Sequence, residues 1–146
     1  MTTHSTKAAD ITRTWYLLDA SEATLGRVST LAASLLIGKG KPDFSSHLDG
    51  GDFVVIINAG KIKVSGGKLE AKTYYRHSGF PGGLSQRSLG EVVAEDPTQA
   101  FISAVRGMLP VNKLRAGRLK RLKVYIGDQH NHEAQKPVKL PKGVRG

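Results

Sequence analysis

One apolar run, FVVIIN at positions 53–58, most constrains how the chain can fold. A nearly continuous series of branched apolar residues predicts a strand that is covered on both faces. A shorter run of strand type, Trp15–Asp19, comes earlier, and apolar residues at helical spacing lie between the two runs, from Leu25 to Leu36, before Gly38. The order strand, helix, strand predicts a βαβ unit whose neighbouring strands are parallel.

The second half of the chain carries shorter signals. A Gly-Gly pair at 66–67 predicts a turn, and residues 78–83 predict a loop because they are rich in Gly and Pro. Asp96 and Pro97 are typical of an N-cap and a first helical residue, and Pro110 ends that helix. We predict a strand at 73–75, helices at 89–94, 97–108 and 113–122, and a last strand at 123–126.

Positive charge is concentrated near the C-terminus. The chain from Arg106 onward has 11 Lys/Arg and 2 acids, a net of +9, whereas the first 105 residues have a net of +1. Between Pro97 and Gly127 there is no Asp or Glu. Positive charge on one side of a protein repels itself unless a polyanion neutralises it, so the pattern predicts nucleic acid as the partner.

Composition and motifs exclude several other classes. With no Cys, the chain has no disulfide, no thiolate metal site and no cysteine nucleophile. The longest apolar runs are far shorter than the roughly 20 residues that span a bilayer, and no apolar region of a secretory signal precedes them. No nucleophile elbow or nucleotide-binding glycine motif is present. We therefore expect a cytoplasmic protein with no cofactor, metal, membrane or small-molecule substrate.

The basic stretch 106–127 alternates cations with leucines, which indicates a folded surface and not a loose tail. In the predicted helix and strand we expect Leu114, Leu119 and Leu122 to face the fold. The cations are expected to face RNA: Lys113, Arg115, Arg118, Lys120, Arg121 and Lys123.

Two further cations, Lys39 and Lys41, lie in a Gly-Lys-Gly-Lys sequence after the first predicted helix. One interpretation is a helix C-cap with a flexible turn; the other is a contact with a phosphate backbone. The four Asp residues at 19, 43, 49 and 52 form no convincing catalytic pair, and Asp49-Gly-Gly-Asp52 most simply predicts a turn before the buried strand.

The sequence YYRHSGFPGG at 74–83 is a second candidate RNA contact. Its glycines let bare backbone approach a phosphate, and Phe80 or the tyrosines could stack on an unpaired base. The candidate contact residues are Tyr75, Arg76, His77, Gly82 and Gly83. The alternative is a plain surface loop with buried tyrosines.

His130 and His132 form a His-x-His sequence flanked by Asp128 and Glu133. A divalent metal site is one interpretation, but the helical spacing of zinc proteases and a second ligand cluster are both lacking. Contacts from the two histidines to RNA are the favoured interpretation.

Five blocks of sequence together resemble the bacterial type of large-subunit ribosomal protein thirteen: TWYLLDASEATLGRVST, HLDGGDFVVIINAGKIKVSG, KTYYRHSGFPGG, VRGMLP and LKRLKVYIGDQHNHEAQKP. They extend from Trp15 to Pro137 in the order and spacing of that family. One departure concerns Leu114-Arg115-Ala116, where family members commonly have Leu-Gly-Arg.

The resemblance implies an α/β fold: a single compact domain with a central, mainly parallel four-stranded sheet flanked by helices, and with flexible basic termini. We place a flexible arm at 1–14, the RNA-binding domain at 15–127 and a basic extension at 128–146. The implied function is a structural one without catalytic activity: binding large-subunit (23S in bacteria) rRNA beside neighbouring ribosomal proteins early in subunit assembly. The RNA contacts that it implies are Arg76, His77, Gly82, Gly83, Lys113, Arg118, Arg121, Lys123, His130 and His132.

Two other classes of function share these features. An RNA-modifying or nucleotide-using enzyme could use a basic βαβ domain, but no glycine fingerprint follows either predicted strand. A free-standing regulator that binds messenger RNA has the same physical properties as a ribosomal protein, so the sequence does not separate the two.

Overall fold

Two parallel strands, β1 (Trp15–Asp19) and β2 (Phe53–Ile57), form the centre of the main sheet in the computed structural model, which describes residues 3–140. They pair from Trp15 opposite Phe53 to Asp19 opposite Ile57. Helix α1 (Leu25–Ile37) connects them. The predicted βαβ unit is confirmed.

The remaining elements complete this sheet and add a separate hairpin. In chain order they are α2 (Lys68–Ala71), β3 (Thr73–His77), β4 (Leu84–Ser88), α3 (Leu89–Glu95), α4 (Pro97–Met108), α5 (Leu114–Lys120), β5 (Leu122–Val124) and β6 (Val138–Lys139). The main sheet has the order β5-β2-β1-β6 with every pair parallel, while β3 and β4 form an antiparallel hairpin. The α/β class and the four-stranded parallel sheet are confirmed.

Local signals explain where the helices start and stop. Gly38 ends α1 with a φ of +84°, a left-handed conformation that only glycine adopts without cost. Asp96 caps α4 by accepting a hydrogen bond from the Thr98 N–H at 3.0 Å, with Pro97 at the first helical position. Ser88 and Glu91 form a capping box at the start of α3.

One face of the sheet packs against helices. Because side chains alternate along a strand, Leu18, Val54 and Ile56 share this face, and all three are buried with Leu36 of α1 and Phe101 of α4. The other face carries Trp15, Leu17, Val55 and Lys123 at paired positions. The hydrophobic core therefore lies between the sheet and the α1–α4 pair.

Two predicted elements differ from the observed ones in their bounds. The basic helix at 113–122 is shorter, at Leu114–Lys120, and the strand at 123–126 lies at Leu122–Val124, because Arg121 makes the turn between them. The strand predicted at 73–75 is observed as part of β3, which pairs with β4, a strand whose polar sequence LSQRS gave no strand signal. Polar strands of this kind are stabilised by backbone pairing and not by a buried face.

Both terminal segments contact the domain. Near the N-terminus, the Arg13 guanidinium donates hydrogen bonds to the carbonyls of Gly51 (2.6 Å) and Asp49 (2.9 Å). Near the C-terminus, β6 pairs with β1 and provides the fourth strand of the sheet. The boundaries placed at 14 and 127 remain predictions, and residues 141–146 of the basic extension predicted at 128–146 lie outside the described residues.

Within residues 3–140, the structure contains no helix whose length and apolar character would let it cross a membrane.

The loop before β2 approaches α1 so closely that we expect position 51 to require glycine. A Cβ on Gly51 would lie 1.7 Å from the backbone carbonyl oxygen of Leu36, so Gly51→Ala forces backbone movement. We expect a loss of at least about 3 kcal/mol in the free energy of unfolding, the upper end for overpacked sites. Urea unfolding measures it.

Gly50→Ala is the matched control, because a Cβ at Gly50 has no neighbouring atom within 4 Å. The control is expected to unfold like the wild type. Equal stability of the two variants would show that this close approach does not exist.

Candidate nucleic-acid interface

Helix α5 and the residues around it divide the predicted basic contacts into two groups. Lys113 and Lys120 are exposed, and Arg115 and Lys123 are partly exposed. Arg118 and Arg121, by contrast, are 2% and 7% exposed. The expectation that both arginines face outward is therefore wrong.

Arg121 is buried because it pairs with acceptors from two other segments, the end of α1 and the loop before β2. Its guanidinium contacts both carboxylate oxygens of Asp49, one of them at 2.6 Å, and also donates to the Leu36 carbonyl at 3.0 Å and the Asp52 carbonyl at 3.3 Å. A two-pronged arginine–carboxylate pair with further acceptors offsets much of the cost of removing both charges from water. Arg121 thus joins the end of α1, the loop before β2 and the start of β5.

Arg118 enters the same cluster with fewer partners. Its Nε lies 3.5 Å from an Asp49 carboxylate oxygen and has no hydrogen-bond partner among the described residues. Burial raises the pKa of the Asp49 carboxyl, but the hydrogen bond and charge of Arg121 and the charges of Arg13 and Arg118 lower it more, so it lies below its ordinary value of 3.8. Asp49 is therefore ionised at neutral pH.

Lys41 is held in the same region. Its Nζ lies 2.7 Å from the buried Asp52 carboxylate and donates to the carbonyls of Thr12 (2.6 Å) and Gly50 (2.9 Å). These contacts correct the view that Lys41 faces a phosphate, whereas Lys39 is exposed as such a contact requires. The sequence Asp49-Gly-Gly-Asp52, predicted as a simple turn, is the acidic centre of this network. The sequence did contain one signal of this network, the absence of Asp and Glu from 97 to 127. Any cation buried within that stretch must pair with an acid from elsewhere in the chain.

The β3–β4 hairpin presents the glycine loop. Tyr75 and Phe80 are 66% and 74% exposed, and Arg76 and His77 are exposed beside them. Tyr74 is partly buried and packs against the core, so the alternative of buried tyrosines holds in part for Tyr74 and not for Tyr75.

Glycines shape the tip of this hairpin. Gly79 and Gly82 have φ values of +87° and +70°, and a Cβ on Gly83 would lie 1.9 Å from the Ser78 hydroxyl oxygen. The Gly83 N–H donates to the Phe80 carbonyl and the Ser78 N–H to the Gly83 carbonyl, both at 3.0 Å. The tip is therefore a tight turn that leaves Gly82 exposed to a ligand.

The two histidines belong to an aromatic cluster on the second face of the sheet. Trp15 stacks on Phe53 with ring centroids 4.2 Å apart, and His132 lies 4.9 Å from Trp15. His132 Nε2 and the Tyr125 hydroxyl are in hydrogen-bond contact at 2.8 Å. His130 Nδ1 accepts from the His132 N–H at 3.2 Å.

These contacts give His132 a packing role that the sequence did not indicate. Burial, Lys123 and His130 lower the pKa of His132 below its ordinary value of 6.5, so the ring is neutral at neutral pH. Within the described residues, no group of three His, Asp or Glu side chains could hold a metal ion.

Comparison with known proteins identifies the family. Residues 13–131 match the sequence model of the family described as ribosomal protein L13. Proteins named large ribosomal subunit protein uL13 are similar to this chain over 94% of each length: 56% identical in Mycobacteroides abscessus, 54% in Mycolicibacterium smegmatis and 54% in Rhodococcus opacus. The chain belongs to the ribosomal protein L13 family.

Membership of the L13 family confirms the resemblance and decides against the enzyme alternative, since the relatives are ribosomal proteins. The departure at 115–116 from the L13 pattern lies on α5, where Ala116 is exposed and Arg115 is partly buried. In this L13 chain the arginine that enters the interior of the domain from the middle of α5 is Arg118.

Arg118 and Arg121 are both buried but differ in how well they are paired, so we expect their substitutions to change the stability of the protein differently. Arg121→Met leaves Asp49 without its main partner, and we expect a loss of about 3–5 kcal/mol in the free energy of unfolding. Arg118→Met removes a poorly paired buried charge while Asp49 keeps Arg121, so we expect stability within about 1 kcal/mol of the wild type, or higher. Urea unfolding of both variants checks this, and equal destabilisation would contradict the assigned pairing.

The His132 contacts predict a pH dependence. Because the folded-state pKa lies below 6.5, the unfolded chain binds the proton more tightly. The stability from His132 is therefore complete above pH 6.5 and is lost as the pH falls through the folded-state pKa. We expect the wild type to lose more stability than His132→Gln between neutral and mildly acidic pH in urea unfolding followed by Trp15 fluorescence.

His47→Gln, at an exposed histidine, is the control and is expected to follow the wild type. If His132→Gln shows the same pH dependence as the wild type, His132 does not lie in the aromatic cluster as described.

Proposed function

We propose that this protein is a structural constituent of the large ribosomal subunit in the cytoplasm and that it binds large-subunit rRNA during early subunit assembly. The assignment to the large subunit is supported by the relatives in the L13 family, which carry the name large ribosomal subunit protein uL13. Binding to the rRNA itself is supported by the exposed charge on and around α5.

The observation that carries the proposal is a row of cations without acidic partners. Among the described residues, no carboxylate lies within 4.0 Å of Lys113, Lys120 or Lys123 in an ion pair. Asp49, the acid that contacts Arg118 of α5, is engaged by Arg121, and Asp52 is engaged by Lys41. The surface around α5 therefore keeps its positive charge for an external anion.

A phosphate backbone fits this surface better than a small anion does. Lys113 and Lys120 bracket α5 and Lys123 lies in the next strand, so the charges extend along the chain and do not converge on one point. Lysines so arranged neutralise successive phosphates and release their counterions. The contacts proposed from the sequence that remain accessible are Lys39, Tyr75, Arg76, His77, Gly82, Gly83, Lys113, Arg115, Lys120, Lys123 and the partly exposed His130.

The shape of folded rRNA is the proposed source of specificity. A-form RNA hides its base edges in a deep groove, so a protein of this kind recognises helical junctions, backbone and unstacked bases. The α5 surface and the hairpin tip are separate elements, and binding at both would hold two rRNA segments together. Such a clamp lowers the entropy cost of later assembly steps. Neighbouring large-subunit proteins are the other proposed partners.

Salt dependence tests the phosphate contacts. We expect wild-type affinity for large-subunit rRNA to fall steeply with salt, and Lys113→Ala and Lys120→Ala each to reduce the slope by about 1. Filter binding over a range of salt concentrations measures it. Lys68→Ala, an exposed lysine on α2, is the control and should leave the slope unchanged.

Binding that ignores salt, or that is equally tight for any RNA duplex, would contradict the proposal. Sedimentation separates the second candidate, a regulator of messenger RNA. A ribosomal constituent migrates with large subunits, whereas a regulator remains mostly free of them.

A further inference from the structure

The β3–β4 hairpin has one open face that is aromatic and apolar. Tyr75 pairs with Gln86, and His77 pairs with Leu84, so these four side chains share a face. Tyr75 is 66% exposed and Leu84 is 55% exposed, with Phe80 at the tip 74% exposed. Large apolar side chains grouped on a surface indicate a partner that covers them.

We propose that this face, formed by Tyr75, Phe80 and Leu84 and called here the aromatic face, stacks against unpaired bases of the rRNA. The assignment rests on the proposed rRNA-binding function and names the part of the RNA that the hairpin takes. The opposite face of the hairpin carries Arg76, which contacts the adjoining phosphate.

Charge favours RNA over a protein as the occupant. Residues 71–90 contain Lys72, Arg76 and Arg87 and no Asp or Glu. Arg87 is paired with Glu95, whereas among the described residues no carboxylate lies within 4.0 Å of Arg76 in an ion pair. Aromatic rings next to a cation that keeps its charge match a ligand with flat π faces joined by phosphates.

The tip is shaped before a ligand arrives. Its Gly83-to-Phe80 and Ser78-to-Gly83 hydrogen bonds, both 3.0 Å, set the position of Phe80. The Gly79 N–H donates to His77 Nδ1 at 2.9 Å, which leaves Nε2 as the ring nitrogen that can contact a ligand. A preformed tip loses little conformational entropy when it binds.

Unpaired bases are the part of RNA that such rings can reach. Bases inside a duplex are stacked on one another and offer no free face, while bases in loops and junctions can be splayed onto aromatic side chains. The aromatic face therefore adds affinity for folded rRNA and none for a continuous duplex.

The test separates aromatic stacking from apolar contact and from charge. Tyr75→Leu and Phe80→Leu keep apolar volume and remove the ring, whereas Tyr75→Phe and Phe80→Tyr keep a ring. Each protein is titrated against purified large-subunit rRNA and against a blunt RNA duplex over a range of salt concentrations. Thermal unfolding confirms that the variants fold, as expected for exposed side chains.

We expect each leucine variant to bind the rRNA about tenfold more weakly, with an unchanged salt slope, unchanged duplex binding and wild-type affinity in the ring-preserving variants. Arg76→Ala should instead reduce the salt slope by about 1.

Wild-type rRNA affinity in both leucine variants would overturn the assignment. If the leucine variants keep wild-type rRNA affinity but fail to enter large subunits, the face binds a protein. That result would reject base stacking too. A wild-type protein that does not distinguish rRNA from the duplex would reject the proposed function itself, and that result is visible before any variant is measured.

Discussion

The pair formed by Arg121 and Asp49 is the interaction on which the other features depend. The carboxylate comes from the loop before β2 and the guanidinium from the start of β5, 72 residues later. The same guanidinium binds the carbonyl at the end of α1, so one side chain joins the helix, the loop and the strand of the βαβ core. Gly51 belongs to this arrangement, because only a residue without Cβ lets the loop approach Leu36 so closely. A buried pair of this quality holds a specific geometry more than it adds stability.

That geometry divides a single basic segment between the interior and the surface. Arg118 and Arg121 satisfy Asp49, whereas Lys113 and Lys120 are exposed on the two ends of α5. Only exposed cations release counterions when RNA binds, so the number of charges in the sequence overstates the salt dependence that the protein can show. In the proposed function the buried arginines act indirectly, by placing the helix that carries the lysines.

The second face of the sheet and the hairpin also differ in how their aromatic side chains are used, one packing within the domain and the other facing outward. His132 joins Trp15 and Tyr125 in an aromatic cluster, which anchors the segment that leads to β6. The hairpin projects aromatic rings that no described residue covers, on a turn set by glycines with positive φ. The proposed binding to rRNA would account for such exposed surfaces on a small domain, because the RNA would cover them.

Sequence by itself determined the elements whose signals are local. The apolar run at 53–58, the glycine at the end of α1 and the Asp96–Pro97 cap act within a few residues, so strand, helix and βαβ order followed from them. The Gly-rich loop was predicted for the same reason. The strand β4 was not, because its polar residues are held by backbone pairing with β3. Only the tertiary structure decided which cations face inward. Arg118 and Lys120 look alike in a basic helix, and what separates them is the position of Asp49, a partly buried acid that is distant in sequence and pairs with the arginines.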